Sequence, residues 1–177
     1  MTYENEYGKA LFMLSEEIGS TERVLEDIQT VCEILTQNPD YVKLLDTPAV
    51  IKAEKLALID EAFAEIDEHV RNLLKILCER RMSATFSDVK KTFCACYDRS
   101  RGIEHVEAVT AVAMSEKQLA AMREKLAALT GKTIVITNKI SPEILGGVKL
   151  RYEGKQLDDS VKTRLEKFEA GLKNTVI

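Results

Sequence analysis

The apolar residues of this chain change their spacing at Arg101-Gly102, and no single layer of structure accommodates both spacings. Before that point they recur every three or four residues, the period that lines one face of a helix. After it they alternate, the period that lines one face of a strand. With 177 residues, 45% of them hydrophobic and 31% charged, the chain has enough apolar surface to bury a core on each side of the change. The sequence therefore predicts an α+β protein in two parts. Residues 1–102 read as a six-helix bundle, and residues 103–177 as a small α/β domain ordered βαββα.

In the first part Tyr7, Leu11, Leu14 and Ile18 recur at helical spacing until Gly19, and Ser20-Thr21-Glu22-Arg23 supplies an N-cap candidate for the next helix. That helix would bury Val24, Ile28, Val31 and Leu35, and Asn38-Pro39-Asp40 breaks it, because proline cannot continue the hydrogen-bond ladder. A short helix around Leu44 and Leu45 closes at Thr47-Pro48. Three more segments follow, carrying Leu56, Ile59 and Phe63; then Val70, Leu73, Leu74 and Leu77; then Phe86, Val89, Phe93 and Cys96 or Tyr97. In the second part, His105 to Met114 alternates as a strand. Ser115 and Gln118 form a capping box that opens a helix through Leu119, Met122, Leu126 and Leu129. Lys132 to Ile140 and Val148 to Tyr152 are two further strands, and Ser160 to Leu172 reads as a closing helix.

Composition excludes several functions. A net charge of −4 lacks the basic stripe that nucleic acid demands. The charge is uneven, with 16 acidic and 5 basic side chains over residues 1–68 against 3 and 8 over residues 69–101; such faces complement each other or are solvated. The four cysteines, Cys32, Cys78, Cys94 and Cys96, show no CxxC spacing, and the two histidines, His69 and His105, are scattered, so no metal site is expected and the thiols read as reduced. The first residues lack the basic and apolar regions of a signal peptide, and no apolar run reaches the roughly 18 residues of a membrane span. The reading is a protein with no direct membrane insertion, held at any membrane by its partners.

Candidate catalytic features also dissolve on inspection. Gly131-Lys132-Thr133 would need a glycine five positions earlier to make a P-loop, and Leu126 stands there. Gly146-Gly147 leads into a strand rather than a helix, so no helix N-terminus faces a bound phosphate, and the pair serves backbone geometry. Asp158-Asp159-Ser160 precedes the expected closing helix and reads as its N-cap. No general base stands in a recognisable nucleophile setting, so neither catalysis nor a cofactor is expected. What remains are apolar helix faces. Tyr7, Leu11 and Leu14 on the first helix, with Leu73, Leu74 and Leu77 on the fifth, are candidate walls of a groove for a partner's amphipathic helix, although the same stripes also read as core. A small α/β ligand-binding enzyme and a generic helix-binding adaptor stand as alternatives.

Four stretches resemble the delta subunit family of F-type ATP synthases, whose mitochondrial counterpart is the oligomycin-sensitivity-conferring protein. They are Tyr7-Gly8-Lys9-Ala10-Leu11-Phe12; Leu44-Leu45-Asp46-Thr47-Pro48-Ala49-Val50; Arg71 to Leu77 with Arg80-Arg81-Met82; and a C-terminal signature from Ile140 to Leu165 that includes Gly146, Gly147, Asp158, Ser160 and Arg164. The resemblance implies a non-catalytic stator subunit of a proton-translocating ATP synthase. Its helical domain would hold the N-terminal helices of the alpha subunits, and its α/β domain the b subunits of the peripheral stalk. The complex would keep it at the cytoplasmic face of the bacterial membrane. Two residues depart from the family pattern. Gly8 stands where alanine is common, leaving room for close approach of a partner, and Asp159 stands where an Asp-Gly-Ser turn has glycine.

Overall fold

Glycine and proline cut the first hundred residues into helices much as their chemistry dictates. The computed structural model describes residues 3–144, 147–152 and 155–158. These fall in two compact units that divide between Tyr97 and Asp98. In the first unit α1 (Tyr3–Glu17), α2 (Thr21–Gln37), α3 (Pro39–Asp46), α4 (Lys52–Ala62) and α5 (Glu68–Glu79) are followed by a 3-10 turn (Ser83–Thr85) and by α6 (Phe86–Ser100), whose last three residues fall past the division. Gly19, at φ 70°, turns the chain out of α1. Pro39 opens α3 at a position where its missing N–H costs nothing. Ser20 precedes α2 without making the expected capping bond. Instead Thr21 Oγ1 donates to the Glu16 carboxylate across the turn, at 2.8 Å.

Helix α5 packs against α1, α2, α3 and α4, and its apolar stripe is the centre of the core. Val70, Leu74 and Leu77 are fully buried there, with Ile28, Leu45, Ile59 and Phe93 around them. Burial on this scale, at about 25 cal/mol per Å² of apolar surface, is what holds short helices that would be marginal alone. Where α1 meets α6, a Cβ built on Gly8 would lie 2.7 Å from Thr92 Cβ and 2.7 Å from the Val89 carbonyl. The room that the sequence suggested for a partner is therefore filled by α6 of the same chain. Phe12 completes this contact with an edge-on approach to Phe93, centroids 5.7 Å apart.

The second unit contains a four-stranded sheet in the order β2-β1-β3-β4, made by β1 (Ile103–Thr110), β2 (Thr133–Ile140), β3 (Val148–Tyr152) and β4 (Lys155–Asp158). Strands β1 and β2 run parallel, in register from Ile103 opposite Thr133 to Thr110 opposite Ile140. Parallel neighbours need a crossover, and α7 (Glu116–Thr130) supplies it. The expected capping box at Ser115 and Gln118 is present, and Gly131, left-handed at φ 68°, ends the helix. Leu119, Met122 and Leu126 are half-buried on α7, whereas Leu129 is exposed.

Two expectations need correction here. The first strand ends at Thr110 rather than Met114. Asn138 on β2 donates to Ala108 O and Thr110 Oγ1 and accepts from Met114 N, while Thr110 Oγ1 donates to Val112 O. These bonds bend the chain off the sheet and leave Val112 exposed. Strand β4, antiparallel to β3, was not anticipated. The α+β class stands, with seven α-helices among the described residues. The closing helix expected over 160–172 lies outside the described residues.

Candidate functional site

The six residues read from the sequence as groove walls divide by depth. Leu74 and Leu77 are fully buried, and Leu11 and Leu73 are 5% and 6% exposed, so these four belong to the core of the helical unit. A side chain already packed on all sides offers a partner no free surface. Leu14 is 36% exposed. Tyr7 packs partly against the core, and its ring lies under the Arg80 guanidinium, 5.9 Å from carbon to centroid. That cation–π contact ties the outer flank of α1 to the C-terminal end of α5.

Helical periodicity extends the flank beyond the residues first singled out. Positions 7, 14 and 18 of α1 and its following turn share one side, and Ile18 is 46% exposed. On α5, Ile76 lies off the buried stripe, one turn before Arg80, and is 44% exposed. Ile76 was missed because the sequence reading followed the stripe itself. The signal available was its position: an isoleucine off the stripe of an amphipathic helix has no core to enter. Leu14 on α1, Ile18 in the turn after it and Ile76 on α5 are thus exposed apolar side chains of two helices that pack together, as is Met13 on α1, with Tyr7 and Arg80 joining the pair.

The ionisable groups of the helical unit do structural work. Asp67 caps α5, accepting from His69 N at 2.9 Å. Asp46 accepts from Ser83 N and Ala84 N and so fixes the start of the 3-10 turn. The Cys78 thiol donates weakly to Leu45 O, and burial pushes its pKa up despite the nearby Lys55 ammonium. Burial, followed by the nearby Cys78, pushes the Tyr41 phenol up to about 12. Both groups are protonated at neutral pH and neither is poised as a nucleophile. None of the four cysteines is in a disulfide among the described residues.

The α/β unit has an apolar recess of about 200 Å³ between α7 and the sheet, lined by Val106, Leu126, Leu129, Ile134, Leu150 and Tyr152 with Glu104 at its edge. Glu104 is paired with Lys132 at 3.0 Å. His105 is paired with Asp98 at 3.1 Å. Among the described residues no three His, Cys, Asp or Glu side chains come together in a way that could hold a metal ion. Gly147 has φ 85°, in the left-handed region that favours glycine. Asp158 ends β4, opposite Lys149 of β3 in the sheet register. Gly146, Ser160 and Arg164 lie outside the described residues.

With this geometry in hand, comparison with known proteins is specific. The family described as ATP synthase delta (OSCP) subunit matches residues 4–172. A protein named ATP synthase subunit delta from Clostridioides difficile is 30% identical over 174 residues, which are 97% of this chain and 96% of that one. Another of that name, from a Geobacillus species, is 30% identical over 167 residues, 94% of each chain. Among solved structures, a chain of the Toxoplasma gondii mitochondrial ATP synthase hexamer matches with a TM-score of 0.73 at 24% identity, over 97% of this chain and 98% of that one; at that identity the likeness concerns the fold.

Proposed function

Because the chain belongs to the ATP synthase delta (OSCP) family, we propose that its two units are the two ends of a stator link. It is a structural component of the peripheral stalk and not a catalytic subunit. In our reading the helical unit takes the N-terminal helices of the alpha subunits, and the α/β unit takes the b subunits. The link opposes the drag of the rotating central stalk on the catalytic head, so that proton flow is spent on ATP synthesis. The task needs affinity and stiffness rather than a reacting group.

One observation carries the assignment of the helical unit. Leu14, Ile18 and Ile76 expose apolar surface along two adjacent helices whose inner residues are fully packed. An amphipathic helix buries its apolar face in such a place, anchored at helical spacing. Burying one such anchor is worth about 1.5–3 kcal/mol, so a few of them reach a useful affinity before the costs of association are met. No helix among the described residues is long and apolar enough to cross a membrane. The proposal places the protein at the cytoplasmic face, held there by the complex. The experiment is affinity capture of the full chain from extracts of its own cells. Stoichiometric alpha and b subunits are the expected companions; their absence from a capture that retains intact chain would refute the assignment.

A further inference from the structure

A second recess lies at the C-terminal end of α5, where the connection between α3 and α4 crosses it. It holds about 150 Å³, and its lining includes Lys52, Lys55, Cys78, Glu79 and Arg81. Three cations therefore meet one carboxylate. Lys52 and Glu79 answer each other at 3.0 Å. Lys55 is 6% exposed, and its Nζ donates to Leu45 O at 2.7 Å and to Thr47 O. Those acceptors are neutral carbonyls at the end of α3, so the buried ammonium is hydrogen-bonded but not neutralised. Asp46, on the same helix, has its carboxylate turned to Ser83 N and Ala84 N. Neither Lys55 nor Arg81 has a carboxylate partner among the described residues.

Arg81 adds an independent observation. It is the only non-glycine residue with positive φ among the described residues, at φ 57°. It ends α5 in a turn where Met82 N donates to Leu77 O at 2.8 Å, a place that favours glycine. An arginine held there at a conformational disadvantage, at the rim of a recess with a buried cation in its wall, asks for a use of its charge.

We propose that this recess binds one small oxyanion, a carboxylate or a single phosphate group, between the Lys55 ammonium in the wall and the Arg81 guanidinium at the rim, with Lys52 beside them. A guanidinium fork matches the two oxygens of such a group, and partial burial strengthens both charged bonds. The volume is below the roughly 300 Å³ at which pockets for larger ligands begin, so the site takes the anionic group alone and not a nucleotide. The group comes either from a free ion or from an acidic side chain of a neighbouring subunit.

Thermal unfolding of the full chain in rising inorganic phosphate, against chloride at matched ionic strength, tests the first source. The wild-type midpoint rises with phosphate, as for any ligand that binds only the folded state. Arg81→Gly relieves the backbone and keeps or raises the midpoint in chloride, but loses the phosphate-dependent rise. Arg81→Asn, which also tolerates the left-handed turn, behaves the same way. Retention of the chain on the assembled synthase in phosphate-free buffer tests the second source, and a partner's carboxylate predicts retention weaker by about tenfold or more in Arg81→Gly. Either loss supports the site. A phosphate response equal in wild type and both variants overturns it, as does the absence of any response together with unchanged retention.

Discussion

At Gly8 the helical unit depends on the absence of a single carbon. Replacing it with alanine improves helix propensity by about 0.5–1 kcal/mol, yet places a Cβ 2.7 Å from a backbone carbonyl that cannot rotate away. Overpacking of this kind costs about 1–3 kcal/mol, so Gly8→Ala is expected to lower the urea midpoint of the full chain; an unchanged or higher midpoint would show that α1 and α6 separate at no cost. Tyr41 gives a prediction in pH. Its hydroxyl is buried without a hydrogen-bond partner among the described residues, and its pKa in the folded state is raised to about 12 from the ordinary 10.0. The unfolded chain therefore releases this proton first, and the stabilising contribution, complete below pH 10, is lost as pH rises towards 12. Tyr41→Phe removes this slope and leaves stability at neutral pH equal or greater, as alkaline melts will show. Individual residues were only partly legible beforehand. Leu11 and Leu14 belong to one apolar stripe, and nothing in their spacing says that the first is 5% exposed and the second 36%. Lys55 was passed over because a lysine among charged neighbours reads as solvated, and only the fold brings two carbonyls of the α3 end to it.

Secondary-structure elements were more legible, for reasons that can be named. Proline and glycine act through local geometry, so Gly19, Pro39 and Gly131 announced their breaks without tertiary information. The capping box at Ser115 was equally local. The end of β1 depends on an asparagine twenty-eight positions away from Thr110, since Asn138 pairs with the strand only after α7 has folded back. Strand β4, Lys-Gln-Leu-Asp, has one apolar residue and therefore no alternation to detect. The role of Asn138 is open to direct trial. Asn138→Ala removes partners from Ala108 O, Thr110 Oγ1 and Met114 N together. A loss of about 1–3 kcal/mol is expected, with faster amide exchange at Met114 than at the centre of β1. Exchange at Met114 as slow as in wild type would mean that another bond holds the strand end.

For the molecule as a whole, the sequence places two kinds of structure in one chain, and the family supplies the reason for joining them. The proposed link between a catalytic head and a stalk needs a binding surface on each unit and no reacting group. The helical stripes were read correctly as helix faces, but their inner and outer members could be sorted only once α1 and α5 were seen together. That sorting decides which substitution is informative. Leu11→Asp and Leu77→Asp put charges into the core and would unfold the unit, hiding any effect on binding. Leu14→Asp with Ile76→Asp alters surface that is already 36% and 44% exposed. The most direct measurement is therefore the affinity of the full chain for a peptide carrying the N-terminal helix of its own alpha subunit. Wild type should bind the peptide, and the Leu14→Asp/Ile76→Asp protein should bind at least about tenfold more weakly with unchanged circular dichroism and melting. Equal affinity in both proteins, or no binding by a folded wild type, would contradict the account.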